Sequence, residues 1–246
     1  DTVKVLLAAK DINVNQADKD GITPLWMASQ EGHTDVIQQL LTVNGINLNK
    51  GRSGKSPLQK AIEENQAEII QLLKDAGAAY SIKEAVAAND INYVQKWITN
   101  DKEKDINEIN ELLYIASSNG NVEIVKLLLE AGGDVNQPDE ENGSTPLFMA
   151  CNGGHFDVVK LLLSVGNIDV NRSLTDGQSP LFSAAEEGHS SIITLLLNAG
   201  TDKINSRVID PSPIDPGCSG LTPLGIAIKN NHSQTIQLLV DAGAKE

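Results

Sequence analysis

The chain has 246 residues, 33 of them acidic and 19 basic, for a formal net charge of −14. A nucleic-acid partner would call for a basic stripe, and none is visible, so no nucleic acid is expected. No run approaches the roughly 18 apolar residues of a membrane helix, so no membrane insertion is expected. Two cysteines are too few for a disulfide framework and fit a reducing compartment, which points to the cytoplasm.

In chain order, Thr2 to Ala9 reads as the second helix of a unit that lacks its first, a half-unit over 1–17. The sequence then runs TPLWMASQEGH from Thr23 to His33. Thr23 can cap a helix start, and Pro24 fits the first helical turn, where its missing N–H costs nothing. Leu25, Ala28 and Ser29 share one face of a short helix, and Gly32 ends it. A second helix carries Val36, Ile37, Leu40 and Leu41. Ser56-Pro57-Leu58 opens the next unit, with a second helix near Glu68–Lys74.

A helix pair continues over Ile82–Ile98, but only 24 residues separate Leu58 from Ile82, so the turn near 77–82 is shortened. Thr99–Asn110 is polar and reads as a solvated loop. The fourth unit has Glu111-Leu112-Leu113 where the others have a Pro-Leu pair. TPLFMACNGGH from Thr145 and SPLFSAAEEGH from Ser179 open the fifth and sixth units. Thr222-Pro223-Leu224 opens the seventh. The motif leucines recur 33 or 34 residues apart from Leu25 to Leu58 and from Leu113 through Leu147 to Leu181. Leu181 to Leu224 is 43, and the excess lies in a proline-rich loop over 206–220. A period of this length marks a stacked repeat. Each unit buries its apolar side against the next, so one continuous domain over 1–246 is expected.

Repeated Thr-Pro-Leu, then Ala, Gly-His, a Val/Ile-x-x-Leu-Leu run and a closing Gly-x-x-Val-Asn resemble the ankyrin repeat over essentially the whole chain. The resemblance implies an all-α solenoid of stacked antiparallel helix pairs joined by short β-hairpins, with about seven units after the half-unit. It also implies a non-enzymatic module that binds a protein partner through its concave face. The alternative is a structural or targeting arm of a longer protein whose catalytic domain lies elsewhere. The degenerate units are similar to ankyrin proteins of intracellular bacteria, whose setting would be the host-cell cytoplasm. A monomer is expected.

Residues with chemical potential are not gathered. His33, His155, His189 and His232 recur at one turn position and read as structural. Cys151 and His155 are four residues apart, but no third group orients them, and Cys151 falls at a small-residue core position. Cys218, in the inserted loop, is expected to be exposed. Gly51–Ser56 lacks the spacing of a phosphate loop. Asp139-Glu140-Glu141 reads as a solvated tip. No metal site, cofactor or catalytic residue is expected.

Carried over residue by residue, the resemblance places the partner surface at Trp26, Met27, Gln30, Lys60, Tyr114, Phe148, Met149, Asn152, Phe182, Glu186, Leu221 and Lys229. Four of the eight aromatic residues, Trp26, Tyr114, Phe148 and Phe182, occupy one repeated position. They read either as an apolar binding stripe or as filling between adjacent first helices. Asn15, Asn49, Asn136, Asn171 and Asn205 recur where the chain leaves each second helix, and such residues tie their own backbone into a turn. Members of the family are also substrates of an asparaginyl hydroxylase in animal cells. The favoured Asn follows a Leu eight residues earlier, and Asn136, preceded by Gly133-Asp134-Val135, fits best.

Overall fold

The computed structural model describes residues 2–9, 12–52, 55–100, 104–208 and 218–245. These form two compact units, Asp1–Ala88 and Asn89–Glu246. The division falls inside the third helix pair, not in the polar stretch 99–110. Among the described residues there are fifteen α-helices and no strand. Where hairpins are expected the chain makes hydrogen-bonded turns, such as Asp139 N–H to Ser144 O at 2.8 Å and Leu174 N–H to Gln178 O at 2.8 Å.

The first unit contains α1 (Thr2–Leu7), α2 (Pro24–Gln30), α3 (Thr34–Leu41), α4 (Pro57–Glu63), α5 (Ala67–Asp75) and α6 (Ile82–Ala87). The first helices α2, α4 and α6 pack in succession, as do the second helices α1, α3 and α5. Leu25, Ala28, Ile37, Leu40, Leu58, Ala61, Ile69 and Leu73 form the core.

The second unit contains α7 (Ile91–Asn100), α8 (Ile106–Ser118), α9 (Val122–Glu130), α10 (Pro146–Asn152), α11 (Phe156–Leu163), α12 (Pro180–Glu186), α13 (Ser190–Asn198), α14 (Pro223–Lys229) and α15 (Ser233–Asp241). Here α8, α10, α12 and α14 pack in one row and α7, α9, α11, α13 and α15 in another. The extra residues before α14 leave both rows unbroken.

The Thr/Ser-Pro-Leu motif works as its chemistry demands. Thr23, Ser56, Thr145, Ser179 and Thr222 each accept the N–H three residues on, at 3.1–3.2 Å. Each such cap stabilises its helix by about 1 kcal/mol. In the fourth repeat, where the motif is missing, the helix grows: α8 starts at Ile106 with Asp105 as its cap and runs for 13 residues. The expected loop over 99–110 is therefore helical at 99–100 and 106–110, and 101–103 lie outside the described residues. No proline stops α8 from extending backwards, and burial of Ile109 and Asn110 rewards the extra turn.

The inserted segment over 206–220 is described only at its base, and 209–217 lie outside the described residues. Val208 N–H bonds Leu221 O at 3.2 Å and Gly220 N–H bonds Val208 O at 3.0 Å, which pins the two ends together. That closure buries Cys218, contrary to expectation, with its Sγ 3.3 Å from Glu186 Oε1. Cys151 is buried as expected, and burial pushes its thiol far above the usual range.

Candidate functional site

The first helices carry the residues assigned to a partner surface, and helix geometry sorts them. The position after Pro-Leu lies in the first turn of the helix and faces the neighbouring first helix. Trp26, Phe148 and Phe182 are accordingly only 4 %, 6 % and 2 % exposed. At these three positions the rings are buried and present no open aromatic face. Among the described residues Trp26 Nε1 has no hydrogen-bond partner. Tyr114 is the exception in this set: half-buried, its hydroxyl lies 3.0 Å from Ser144 Oγ.

The other assigned residues reach the surface to different degrees. Met27 is 40 % exposed. Asn152 and Lys229 are exposed, while Gln30, Lys60, Met149, Glu186 and Leu221 are half-buried. Lys60 bridges Glu64 at 2.7 Å and Glu63 at 3.3 Å. The hydrogen bond to Glu64 holds its ammonium above the usual lysine range. Glu63 is held below the usual carboxyl range, chiefly by its hydrogen bond from Lys55 at 2.5 Å. The charges of Lys55 and Lys60 are thus neutralised locally by Glu63 and Glu64.

The histidines tie repeat to repeat. Nε2 of His155 meets Ser118 O at 2.8 Å, His189 meets Asn152 O at 3.2 Å, and His232 meets Glu186 O at 2.8 Å. Each ring thus reaches the carbonyl that ends the preceding first helix, where an orphan acceptor awaits a donor. In the second repeat Gln66 takes the place of histidine and donates to Gln30 O at 3.1 Å.

The asparagines form a second ladder. Their side chains bridge forward to the next repeat, which departs from the expected bond to their own backbone. Asn136 donates to Asn167 O at 2.7 Å and accepts from Asp169 N–H at 2.8 Å. Asn15, Asn49, Asn171 and Asn205 make corresponding links to Gly45 and Asn47, Ala79, Asp202 and Lys245. Sequence reasoning missed Asn110. Its Oδ1 accepts the Asp134 N–H at 2.8 Å, the rung that a ladder asparagine would otherwise supply.

Among the described residues no three His, Cys, Asp or Glu side chains converge as metal ligands. No described helix is long and apolar enough to cross a membrane.

Helix pairs at this period, capped by Thr/Ser-Pro-Leu and laced by His and Asn rungs, define a helical-repeat protein. The model for "Ankyrin repeats (3 copies)" matches residues 1–84, 82–173, 112–207 and 165–246, so the chain belongs to the ankyrin-repeat family. It is similar to oxysterol-binding protein homolog 2 of Saccharomyces cerevisiae, 28 % identical over 148 residues, which are 55 % of this chain and 12 % of that protein. It is 35 % identical to the liver isoform of mitochondrial glutaminase from Rattus norvegicus over 81 residues, 32 % of this chain and 14 % of that protein. Rabankyrin-5 of Mus musculus is 31 % identical over 153 residues, 56 % of this chain and 13 % of that protein. The match thus spans a small part of each relative's length. Ankyrin repeats are generally protein-interaction modules.

Proposed function

We propose that this chain is a non-enzymatic module that binds a protein partner across its first helices and the adjoining turns. The supporting observation is a contrast along the repeats. Inward positions hardly vary: Leu25, Leu58, Leu113, Leu147, Leu181 and Leu224 are buried, as are Ala28, Ala61, Ala116, Ala150, Ala184 and Ala227. The residue that ends each corresponding helix is never buried and differs every time: Gln30, Glu63, Ser118, Asn152, Glu186 and Lys229. Within each unit, a constant frame presenting varied residues suits recognition of a particular partner.

The test is retention of a partner from a eukaryotic lysate, followed by measurement of its affinity for variants. Met149→Ala combined with Asn152→Ala is expected to weaken binding by more than about 2 kcal/mol if this row carries the anchors. Phe148→Ala is unsuitable, because loss of a buried ring costs the fold about 3–5 kcal/mol first. A folded double variant with undiminished affinity would move the site elsewhere. Retention of nothing would favour the structural-arm alternative.

Asn136 is proposed as a site of hydroxylation in animal cells. Both ends of its carboxamide are engaged, so modification requires the turn to open. Mass spectrometry should find one added oxygen on the peptide containing Asn136. An unmodified peptide in the presence of active hydroxylase would reject this proposal.

A further inference from the structure

Asn-Gly pairs stand at Asn44, Asn119, Asn142 and Asn152. In such a pair the glycine nitrogen can attack the asparagine carboxamide, because the glycine has no side chain to block the approach. The chemistry is common to all of them, so their surroundings decide which one reacts. The glycine N–H and the carboxamide must be free, and the peptide between them must be able to turn.

Three of the pairs are held. Gly153 N–H bonds Met149 O at 3.0 Å, and Asn152 Nδ2 donates to Ser183 Oγ at 3.1 Å. Gly120 N–H bonds Ser117 O at 3.4 Å, and a Cβ on Gly120 would lie 2.5 Å from the His155 ring. Asn142 Oδ1 accepts the Ser144 N–H at 3.0 Å, and the Asn142 main-chain carbonyl accepts the Thr175 N–H at 2.9 Å.

Asn44-Gly45, in the first unit, is open. Both residues are exposed. Among the described residues neither the Asn44 carboxamide nor the Gly45 N–H has a hydrogen-bond partner. Apart from chain neighbours, no heavy atom lies within 4 Å of the place a Gly45 Cβ would take. The Ile46 N–H to Val43 O bond that closes the turn is long, at 3.3 Å, so local opening is easy. The same turn is the dock for a ladder rung. Gly45 O accepts from Asn15 Nδ2 at 2.8 Å, and Asn47 N–H donates to Asn15 Oδ1 at 2.7 Å.

We propose that Asn44 is a site of spontaneous deamidation and isomerisation, and that its isoaspartyl product releases the Asn15 rung. The Gly45 nitrogen gives its proton to solvent and bonds to Asn44 Cγ. The carboxamide C–N bond breaks, and the amine takes a proton from solvent and departs as ammonia. Water opens the resulting succinimide. Breaking the ring bond to Cγ gives aspartate, and breaking the ring bond to the Asn44 main-chain carbonyl carbon gives isoaspartate. One water is consumed and one ammonia released, with no oxidation or reduction. Isoaspartate inserts the Cβ methylene into the main chain beside Gly45, which shifts the carbonyl that Asn15 grips.

The full chain is incubated in neutral buffer, folded and in guanidinium, and each Asn-Gly peptide is followed by mass spectrometry. Dividing the denatured rate by the folded rate removes the effect of neighbouring residues. This protection should be at least about tenfold greater at Asn119, Asn142 and Asn152 than at Asn44. The folded-state reaction at Asn44 should accelerate with pH, and labelling by isoaspartyl methyltransferase should appear with it. Equal protection at all four sites, greater protection at Asn44, or a product with no isoaspartate would overturn the proposal.

The released rung has its own readout. Isoaspartyl chain, separated from Asn44→Asp chain by chromatography, should exchange the Asn47 amide hydrogen at least about tenfold faster than Asn44→Asp does. Its urea midpoint should also be lower, whereas Asn44→Asp should keep that of the parent chain. Asn44→Ala should abolish the decline of the midpoint on storage. Equal exchange at Asn47 in the two forms, or a decline that persists in Asn44→Ala, would overturn the link to the ladder.

Discussion

The turn at Gly154-His155 and the turn at Asn65-Gln66 join the same two helices of a repeat with different chemistry. Both need a residue with positive φ, 71° at Gly154 and 54° at Asn65. At Gly154 a Cβ would lie 2.6 Å from the ring of His189, which belongs to the next repeat. Gly120 stands in the same relation to His155, at 2.5 Å, and Gly188 to His232, at 2.6 Å. In sequence, the repeats that follow Asn65 and Asn89 carry Asp90 and Asn121 at the histidine position. Asparagine tolerates the left-handed conformation at modest cost. At Gly120, Gly154 and Gly188 the glycine is therefore dictated by the neighbour's ring as well as by φ, whereas at Gly32, where the next repeat carries Gln66 at 3.4 Å from an added Cβ, φ alone favours it.

If the turns differ but the cores beneath them do not, core truncations should cost the same in both regions. Leu162 in α11 and Leu73 in α5 are both fully buried. Leu162→Ala and Leu73→Ala should each cost about 2–5 kcal/mol by denaturant unfolding. A loss at Leu73 smaller by more than about 1 kcal/mol would show that the Asn-type turn accompanies looser packing, and the comparison would fail.

A smaller effect separates the turns themselves. Gly154→Ala meets both the positive φ and the His189 ring and should cost about 1–3 kcal/mol. Removal of the ring should recover part of that. Gly154→Ala with His189→Ala is expected to deviate from additivity by at least about 0.5 kcal/mol. Strict additivity would mean that the ring does not dictate the glycine. His189→Ala alone should cost about 0.5–1.5 kcal/mol through its lost hydrogen bond to Asn152 O, and Gln66→Ala a similar amount.

These distinctions mark the limit of what the sequence discloses. Helix starts were legible, because Thr or Ser before Pro-Leu has one efficient use. The core was legible from the recurrence of the Leu147, Ala150, Val158 and Leu162 pattern in most units. The fates of Trp26, Phe148 and Phe182 were not, since helical period places a ring on a side but does not say whether the adjacent helix covers it. Cys218 looked exposed among prolines and was buried by pairing across Val208 and Leu221, a contact between distant residues. Asn110 lay in a stretch read as loop. Its role depends on a three-dimensional vacancy in the asparagine ladder, which no local pattern reports.

The smallest effect gives the sharpest contrast between the two turns, because it exchanges their residues. Asn65→Gly removes a side chain from a left-handed position and adds freedom to the unfolded chain. These changes oppose each other, so stability should move by less than about 0.5 kcal/mol. The reverse exchange is not symmetric. Gly154→Asn keeps a residue that accepts positive φ but drives its Cβ into His189, so it should cost more than about 1 kcal/mol. Urea unfolding midpoints of the two single variants measure the asymmetry directly. Equal small shifts would mean that backbone conformation alone chooses the residue. A large loss at Gly154 beside a negligible change at Asn65 would assign the choice to the ring stacked on it from the next repeat.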